Sequence, residues 1–124
     1  MKEKIIRVLK IEPQKPPVEA ELTNELASLQ EAVGGLIEFL PIDRKRCLEI
    51  LCNEEGKLIG LEPNRRVGDD VIVGTFYIVK CNEAGECCSL NDEDITEYKK
   101  RFAEPEEISQ EEVEASLFFG FDFM

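Results

Sequence analysis

The 124-residue chain carries 27 acidic and 15 basic residues, for a net charge of −12, and 43% of its residues are hydrophobic. These values are typical of one soluble domain, and the negative charge argues against nonspecific binding to nucleic acid or to an anionic membrane. The chain has no histidine, which excludes Ser-His and Cys-His nucleophile pairs and removes the commonest ligand of catalytic zinc. We therefore expect no enzymatic activity and no cofactor.

The five cysteines are expected to be reduced thiols in a cytoplasm. Met1–Lys4 leads into only a short apolar stretch, so no signal peptide is expected, and no apolar run has the length of a membrane span. Cys81, Cys87 and Cys88 lie within eight residues, but the chain has no C-x-x-C pair. We therefore expect no metal site.

The first half of the chain predicts four strands and one helix. Apolar patterning indicates strands at Ile5–Ile11, Val18–Leu22, Leu36–Ile42 and Cys47–Cys52. Between the second and third of these, apolar residues three and four apart predict a helix. Thr23 or Asn24 is suited to be its N-cap, and Gly34-Gly35 is suited to end it.

The central run, residues 53–79, predicts a turn at Gly56, a short strand at Lys57–Leu61 and an exposed loop at Glu62–Arg66. Val71–Val79 follows as the most strand-like run in the chain, because it is β-branched, aromatic and uncharged. A second helix is predicted at Glu93–Phe102, with Asn91 or Asp92 as its N-cap. The order of elements predicts an α+β fold, with a mainly antiparallel sheet and two helices packed on it.

Several short elements of this pattern also carry a family resemblance. They are Gly34–Glu38, Asn53–Lys57, Leu61–Arg65 and Val71–Thr75, together with Ser89–Ile95. Over roughly residues 4–102 the chain resembles a small uncharacterised domain family that is common in bacteriophages, plasmids and other mobile elements of bacteria. The resemblance implies a genetic context and a fold, and it implies no catalytic residues.

The end of the chain differs in composition, so we divide the chain into a domain at residues 1–102 and a tail or helix at residues 103–124. The tail has seven acidic residues and no basic one, and it holds four of the seven phenylalanines. It either folds back onto its own domain or contacts a partner or a second copy. The candidate partner-binding residues are Glu111, Glu112, Glu114, Phe118, Phe119, Phe121, Asp122 and Phe123.

The scarce basic residues offer a second candidate site. Six of them fall between Asp43 and Arg66, and a local basic patch would bind a nucleotide or another small anion through Asn64, Arg65 and Arg66. The competing expectation is that these cations pair with the many surrounding acids.

Two functions follow from these features. The first is a non-enzymatic phage or mobile-element protein, in the host cytoplasm, that binds and inhibits a host protein with a basic surface. An anti-CRISPR-like or other anti-defence inhibitor is an example, in which tail carboxylates pair with Arg and Lys while the phenylalanines supply buried area. The alternative is a small-ligand binder that sequesters a nucleotide or another anionic signal.

Overall fold

Antiparallel strands form most of the fold. The computed structural model describes residues 3–121, with side chains as far as residue 117, and over this range the chain has eight strands and three helices. The strands are β1 (Ile5–Ile11), β2 (Val18–Thr23), β3 (Ile37–Asp43), β4 (Leu48–Asn53), β5 (Pro63–Val67), β6 (Asp70–Val73), β7 (Phe76–Cys81) and β8 (Cys87–Cys88). The helices are α1 (Leu26–Val33), α2 (Asp92–Arg101) and α3 (Gln110–Phe121). The predicted α+β class is confirmed.

Six strands form one antiparallel sheet in the order β2-β1-β7-β4-β3, and β8 pairs with the end of β7. The central strand β7 is buried on both faces of the sheet. Because the side chains of successive strand residues point to opposite faces, they enter two different cores. Phe76 and Ile78 pack in one apolar cluster, while Tyr77 and Val79 pack in another. The sheet therefore separates two cores.

Each face of the sheet is covered by different elements. Helix α1 covers one face through Leu29 and Val33, which pack with Tyr77 and Val79. Helix α2 covers the other face through Ile95 and Tyr98. The small β5–β6 sheet lies on the α2 side, since Ile72 of β6 belongs to the same cluster as Ile95. The fold therefore has three layers: α1, the main sheet, and α2 together with the β5–β6 hairpin.

The predicted single strand Val71–Val79 is wrong. It divides into β6 and β7, which belong to different sheets, and the chain bends between them at Gly74. The φ angle of Gly74 is +72°, and a Cβ atom there would lie 2.7 Å from Leu61 Cδ1. Only glycine meets both conditions without strain. The β-branched residues of this run correctly indicate a preference for strand. They do not show that the single residue Gly74 bends the chain and divides the run into two strands.

The predicted strand Lys57–Leu61 and the predicted loop Glu62–Arg66 are also wrong. The first is a turn, in which the Ile59 N–H donates to Glu55 O at 3.0 Å and the Leu61 N–H donates to Gly56 O at 3.0 Å. Most of the second is strand β5. Pro63 is its first residue, a position where a missing N–H is tolerated.

The helix ends follow the predictions only in part. The N-cap of α1 is Glu25, rather than Thr23 or Asn24, and Gly34 ends the helix at a φ of +77°. Asn91 caps α2 as predicted, and its capping box includes Asp94. The two predicted helices, α1 and α2, pack on the main sheet, and a third helix, α3, forms within the region predicted as a tail or helix. No helix in the described range is long and apolar enough to cross a membrane.

Candidate functional site

Asn64, the first residue predicted to bind a small anion, is fully buried in β5. Its Nδ2 group donates to Ile11 O at 2.9 Å and to Gly74 O at 2.8 Å. Its Oδ1 atom accepts a hydrogen bond from Arg65 Nη1 at 2.7 Å. The side chain thus holds the end of β1 and the β6–β7 bend together, and its hydrogen-bonding groups are already occupied.

Arg65 is also fully buried, and its guanidinium contacts backbone carbonyls rather than a carboxylate. Nη2 donates to Phe102 O at 3.0 Å and to Lys15 O at 2.8 Å. Burial lowers the pKa of Arg65. The C-terminal end of α2 provides the compensating negative potential, because Phe102 is the C-cap of that helix. The Pro-Asn-Arg element is therefore a structural junction.

Arg66 points to the opposite side of β5 and binds the acidic tail. Its guanidinium donates to Glu112 Oε2 at 2.5 Å and to Glu106 Oε1 at 2.9 Å. The hydrogen bonds that Arg66 donates to Glu112 and Glu106 raise the pKa of Arg66. A similar ion pair joins Lys57 to Asp70. The expectation that the scarce cations pair with surrounding acids is confirmed for these residues.

The described part of the tail folds back onto its own domain. Val113 of α3 is buried against Val71 and Val73 of β6. On the outer side of the helix, Glu111 and Glu114 are exposed. Of the other predicted partner-binding residues, Phe118, Phe119 and Phe121 lie in α3 with side chains outside the described range, and Asp122 and Phe123 lie wholly outside it.

A cavity of about 160 Å³ lies between the main sheet and the β5–β6 hairpin. Its walls are mostly apolar and come from four elements: Leu40 of β3, Cys52 of β4, Val71 and Val73 of β6, and Leu117 of α3. Because β3 is an edge strand of the sheet, the cavity opens at the side of the molecule. Helix α3 thus forms one wall of the cavity through Leu117.

The rim of this cavity is acidic. Three carboxylates, from Glu38, Glu54 and Asp70, line it with one ammonium group, from Lys57. Lys57 Nζ lies 2.5 Å from Asp70 Oδ1, so this cation is already paired. Burial and the negative charges of Glu54 and Asp70 raise the pKa of Glu38. The rim therefore has an excess of negative charge that a cationic group would relieve.

Cys52 is the one thiol on the cavity wall among the described side chains, and it is buried. Burial, with a smaller effect of Glu38 and Asp70, raises the pKa of Cys52 to about 12. A thiol is a nucleophile only as the thiolate, so Cys52 is protonated and unreactive at neutral pH. At this point the cavity wall therefore presents an unreactive, protonated thiol.

Beside the rim, the turn at residues 54–60 presents two large aliphatic side chains to solvent. Leu58 is 70% exposed and Ile59 is 59% exposed. Leu58 also lines the cavity mouth. We refer to Leu58, Ile59 and the acidic rim formed by Glu38, Glu54 and Asp70 as the cavity face. An adjacent exposed pair of this size is a feature of interaction surfaces.

The turn that carries Leu58 and Ile59 is firmly anchored. The buried side chain of Asn53 donates to Val33 O at 3.1 Å and accepts from the Glu55 N–H at 2.8 Å. Gly56 lies so close to β6 that a Cβ atom there would be 2.8 Å from Val73 Cγ2. The element Asn53–Lys57 therefore positions the exposed pair.

Sequence reasoning missed this cavity face, because Leu58 and Ile59 were assigned to a strand. One signal was present: glycines at positions 56 and 60 bracket the apolar pair, and paired glycines favour a turn over a strand. Glu38, Lys57 and Asp70 are distant in sequence, and only the docking of the hairpin on the sheet brings them together.

A second charged cluster, on the α2 side of the sheet, contributes to the fold. Asp94 is almost fully buried and pairs with Arg46 of the β3–β4 turn and with Lys80 of β7, the latter at 3.3 Å. It thereby fixes the start of α2 to the sheet. Within the described part of the chain, no three Cys, Asp or Glu side chains are grouped to hold a metal ion.

Comparison with known proteins identifies the family. No curated protein and no solved structure matches the chain. A family model does match it over residues 6–103, which include β1 from its second residue, every later strand and the helices α1 and α2, but exclude α3. The chain therefore belongs to the family described as a domain of unknown function (DUF3846).

Proposed function

We propose that this protein acts without catalysis, by binding a partner protein with a basic surface through its cavity face. The observation that carries the proposal is the exposed pair Leu58 and Ile59, at 70% and 59% exposure, on an anchored turn beside an acidic cavity. Apolar anchors surrounded by a polar rim are typical of specific protein interfaces.

The apolar pair supplies binding energy. Burying one fully exposed large aliphatic side chain is worth about 1.5–3 kcal/mol. Because Leu58 and Ile59 are 70% and 59% exposed, covering both contributes roughly 2–4 kcal/mol. Since each 1.4 kcal/mol is a factor of ten, the pair changes Kd by roughly 30-fold to 700-fold. The anchored turn adds to this, because a preorganised contact loses little conformational entropy on binding.

The acidic groups supply specificity and speed of association. Glu38, Glu54 and Asp70 surround the cavity, and Glu111 and Glu114 extend the negative surface along α3. A net charge of −12 favours encounter with a positively charged partner at low salt. In this proposal the phenylalanines of the tail, Phe118, Phe119, Phe121 and Phe123, also contact the partner.

The biological setting in this proposal is a phage or mobile element, and the protein occupies the host cytoplasm. The support is the sequence resemblance together with the acidic composition, since an acidic inhibitor can occupy a groove that a host protein uses for nucleic acid. Inhibition of a host defence protein, in the manner of an anti-CRISPR, is the specific form we propose. Contact with a second copy of the chain through the tail, giving a homodimer, is a separate form of partner binding in this proposal.

The alternative function, sequestration of a nucleotide or another anionic signal, has less support. Asn64 and Arg65 are buried and internally bonded, and Arg66 is paired with two carboxylates. The cavity of about 160 Å³ is below the roughly 300–1,000 Å³ of typical small-molecule sites, and its rim repels anions.

The test is affinity capture from host cells with matched surface variants. Leu58→Ser combined with Ile59→Ser removes the apolar pair without affecting the core. Leu26→Ser is the control, because Leu26 is 60% exposed on α1, on the opposite face of the sheet. We expect the double variant to retain less than a tenth of the partner that the wild type captures, and the control to retain all of it. Equal capture by all three proteins would contradict the proposal.

A further inference from the structure

Two cysteines face each other across the pairing of β7 and β8. Cys81 and Cys87 are direct partners in the antiparallel register, and their Sγ atoms are 3.9 Å apart. We propose that this pair is a redox modification site, at which the two thiols are converted into an intramolecular disulfide by exchange with a small-molecule disulfide. The inference is independent of the proposed binding function.

The backbone geometry suits such a bond. The Cys81 N–H donates to Cys47 O at 2.9 Å, on the β4 side, and so does not donate to Cys87. The next pair along the hairpin is bonded, since the Asn82 N–H donates to Glu86 O at 2.9 Å. Because bonded and non-bonded pairs alternate, Cys81 and Cys87 form a non-bonded pair, whose Cα atoms approach to about 4.5 Å. Disulfides span Cα separations of about 4.4–6.8 Å.

The sulfur atoms therefore have only a short distance to close. From 3.9 Å they must approach to the disulfide length of about 2.05 Å, which rotation of the side chains can provide without moving either strand. Cys88 does not compete well for Cys81, because consecutive strand residues point to opposite faces of the sheet. Cys81 and Cys87 are thus the cysteines that the β7–β8 register and the separation of their Sγ atoms both bring together.

The chemistry balances with a disulfide such as oxidised glutathione as the oxidant. Cys81 is half-buried and Cys87 is buried, so Cys81 reacts first. Its thiolate attacks one sulfur of the small disulfide, forming a mixed disulfide and releasing one small thiolate. The thiolate of Cys87 then attacks the Cys81 sulfur and displaces the second small thiolate. Two protein S–H bonds become one S–S bond, and their protons end on two released small thiols.

The reaction is expected to be slow at neutral pH. Hydrogen bonding with Cys87, followed by burial, raises the pKa of Cys81, and the thiolate is the reactive form. Once formed, the bond would fix β8 to β7. It would also hold the start of α1, because Asn24 Nδ2 donates to Cys87 O at 3.2 Å.

The experiment equilibrates the full chain with oxidised and reduced glutathione, then alkylates the remaining thiols under denaturing conditions. Intact mass and peptide mapping report the products. We expect loss of two alkylatable thiols out of five and a single cross-linked peptide joining Cys81 to Cys87. Cys88→Ser should behave as the wild type does, whereas Cys87→Ser should lose the cross-link.

The wild-type protein alone can overturn the proposal, so a variant that fails to fold leaves the test intact. Five alkylatable thiols after equilibration with excess oxidant would contradict it. A stable glutathione adduct, or a cross-link through Cys47, Cys52 or Cys88, would equally contradict it, since the register would then not select the pair.

Discussion

Replacement of Arg65 by methionine removes the guanidinium on which three segments of the fold converge. The side chain is 0% exposed, and it donates to Phe102 O, to Lys15 O and to Asn64 Oδ1. These acceptors lie at the end of α2, in the β1–β2 connection and within β5. Methionine fills a similar volume but offers no donor, so three buried acceptors, Phe102 O, Asn64 Oδ1 and Asn64 O, lose a partner. The Lys15 carbonyl is only part-buried and can bind water instead.

The expected cost follows from those three acceptors. A buried acceptor without a partner costs about 1–3 kcal/mol, which gives roughly 3–9 kcal/mol for three. Removing the buried positive charge returns several kcal/mol of desolvation, so we expect a net loss of about 2–5 kcal/mol in the free energy of unfolding. Against a typical stability of about 5–15 kcal/mol, this is a large fraction.

Urea unfolding, followed by circular dichroism, measures this loss as a shift of the midpoint. With a slope of about 1–3 kcal/mol per molar, the midpoint should fall by about 1 M or more. Arg66→Met is the matched control, because it is the same substitution one residue later, at an exposed side chain. Exposed ion pairs contribute little, so its midpoint should move only slightly. A shift for Arg65→Met no larger than that of Arg66→Met would refute the structural role of the buried guanidinium.

Two further predictions concern pH. Burial acts to raise the pKa of Asp94, but hydrogen bonds from the Asn91 backbone, Arg46 and Lys80 outweigh it and lower the pKa. Ionised Asp94 therefore stabilises the folded state at pH values above the ordinary aspartate pKa of about 4. That stabilisation is lost as the pH falls through the lowered pKa of Asp94 in the folded protein. The unfolding midpoint of Asp94→Asn should therefore lack this part of the decline at acid pH. The pKa of Glu38 is raised in the folded protein, so ionising this carboxylate destabilises the fold. Glu38→Gln should therefore gain stability relative to the wild type as the pH increases from about 4 to 7. Equal unfolding midpoints of variant and wild type at both pH values would contradict the burial of that carboxylate among like charges.

Much of the fold could be predicted from periodicity. The strand Ile5–Ile11 has the predicted bounds, and Asn91 caps α2 as predicted, because both depend on residues close in sequence. The division of Val71–Val79 could not be predicted, since it depends on how closely Leu61 approaches Gly74. Local preference describes a segment, whereas this bend is set by a contact with another segment.

The site was less predictable than the fold. Arginine is rarely buried without a carboxylate, so Arg65 was expected to face solvent and bind a ligand. Its actual role depends on the Phe102 and Lys15 carbonyls, which lie 37 and 50 residues away. The joint exposure of Leu58 and Ile59 is likewise a tertiary property, because in a strand these consecutive side chains would point to opposite faces of the sheet.

The most direct test of the cavity face is site-specific photocross-linking in host cells. A benzophenone side chain replaces Ile59 in one protein and Leu26 in another, so that two exposed aliphatic positions on opposite faces are compared. The proposed function predicts a cross-linked partner at position 59 that is absent at position 26, and that mass spectrometry identifies as a protein with a basic surface. Cross-linking of the same partner at position 26 alone, or no product at position 59, would contradict it.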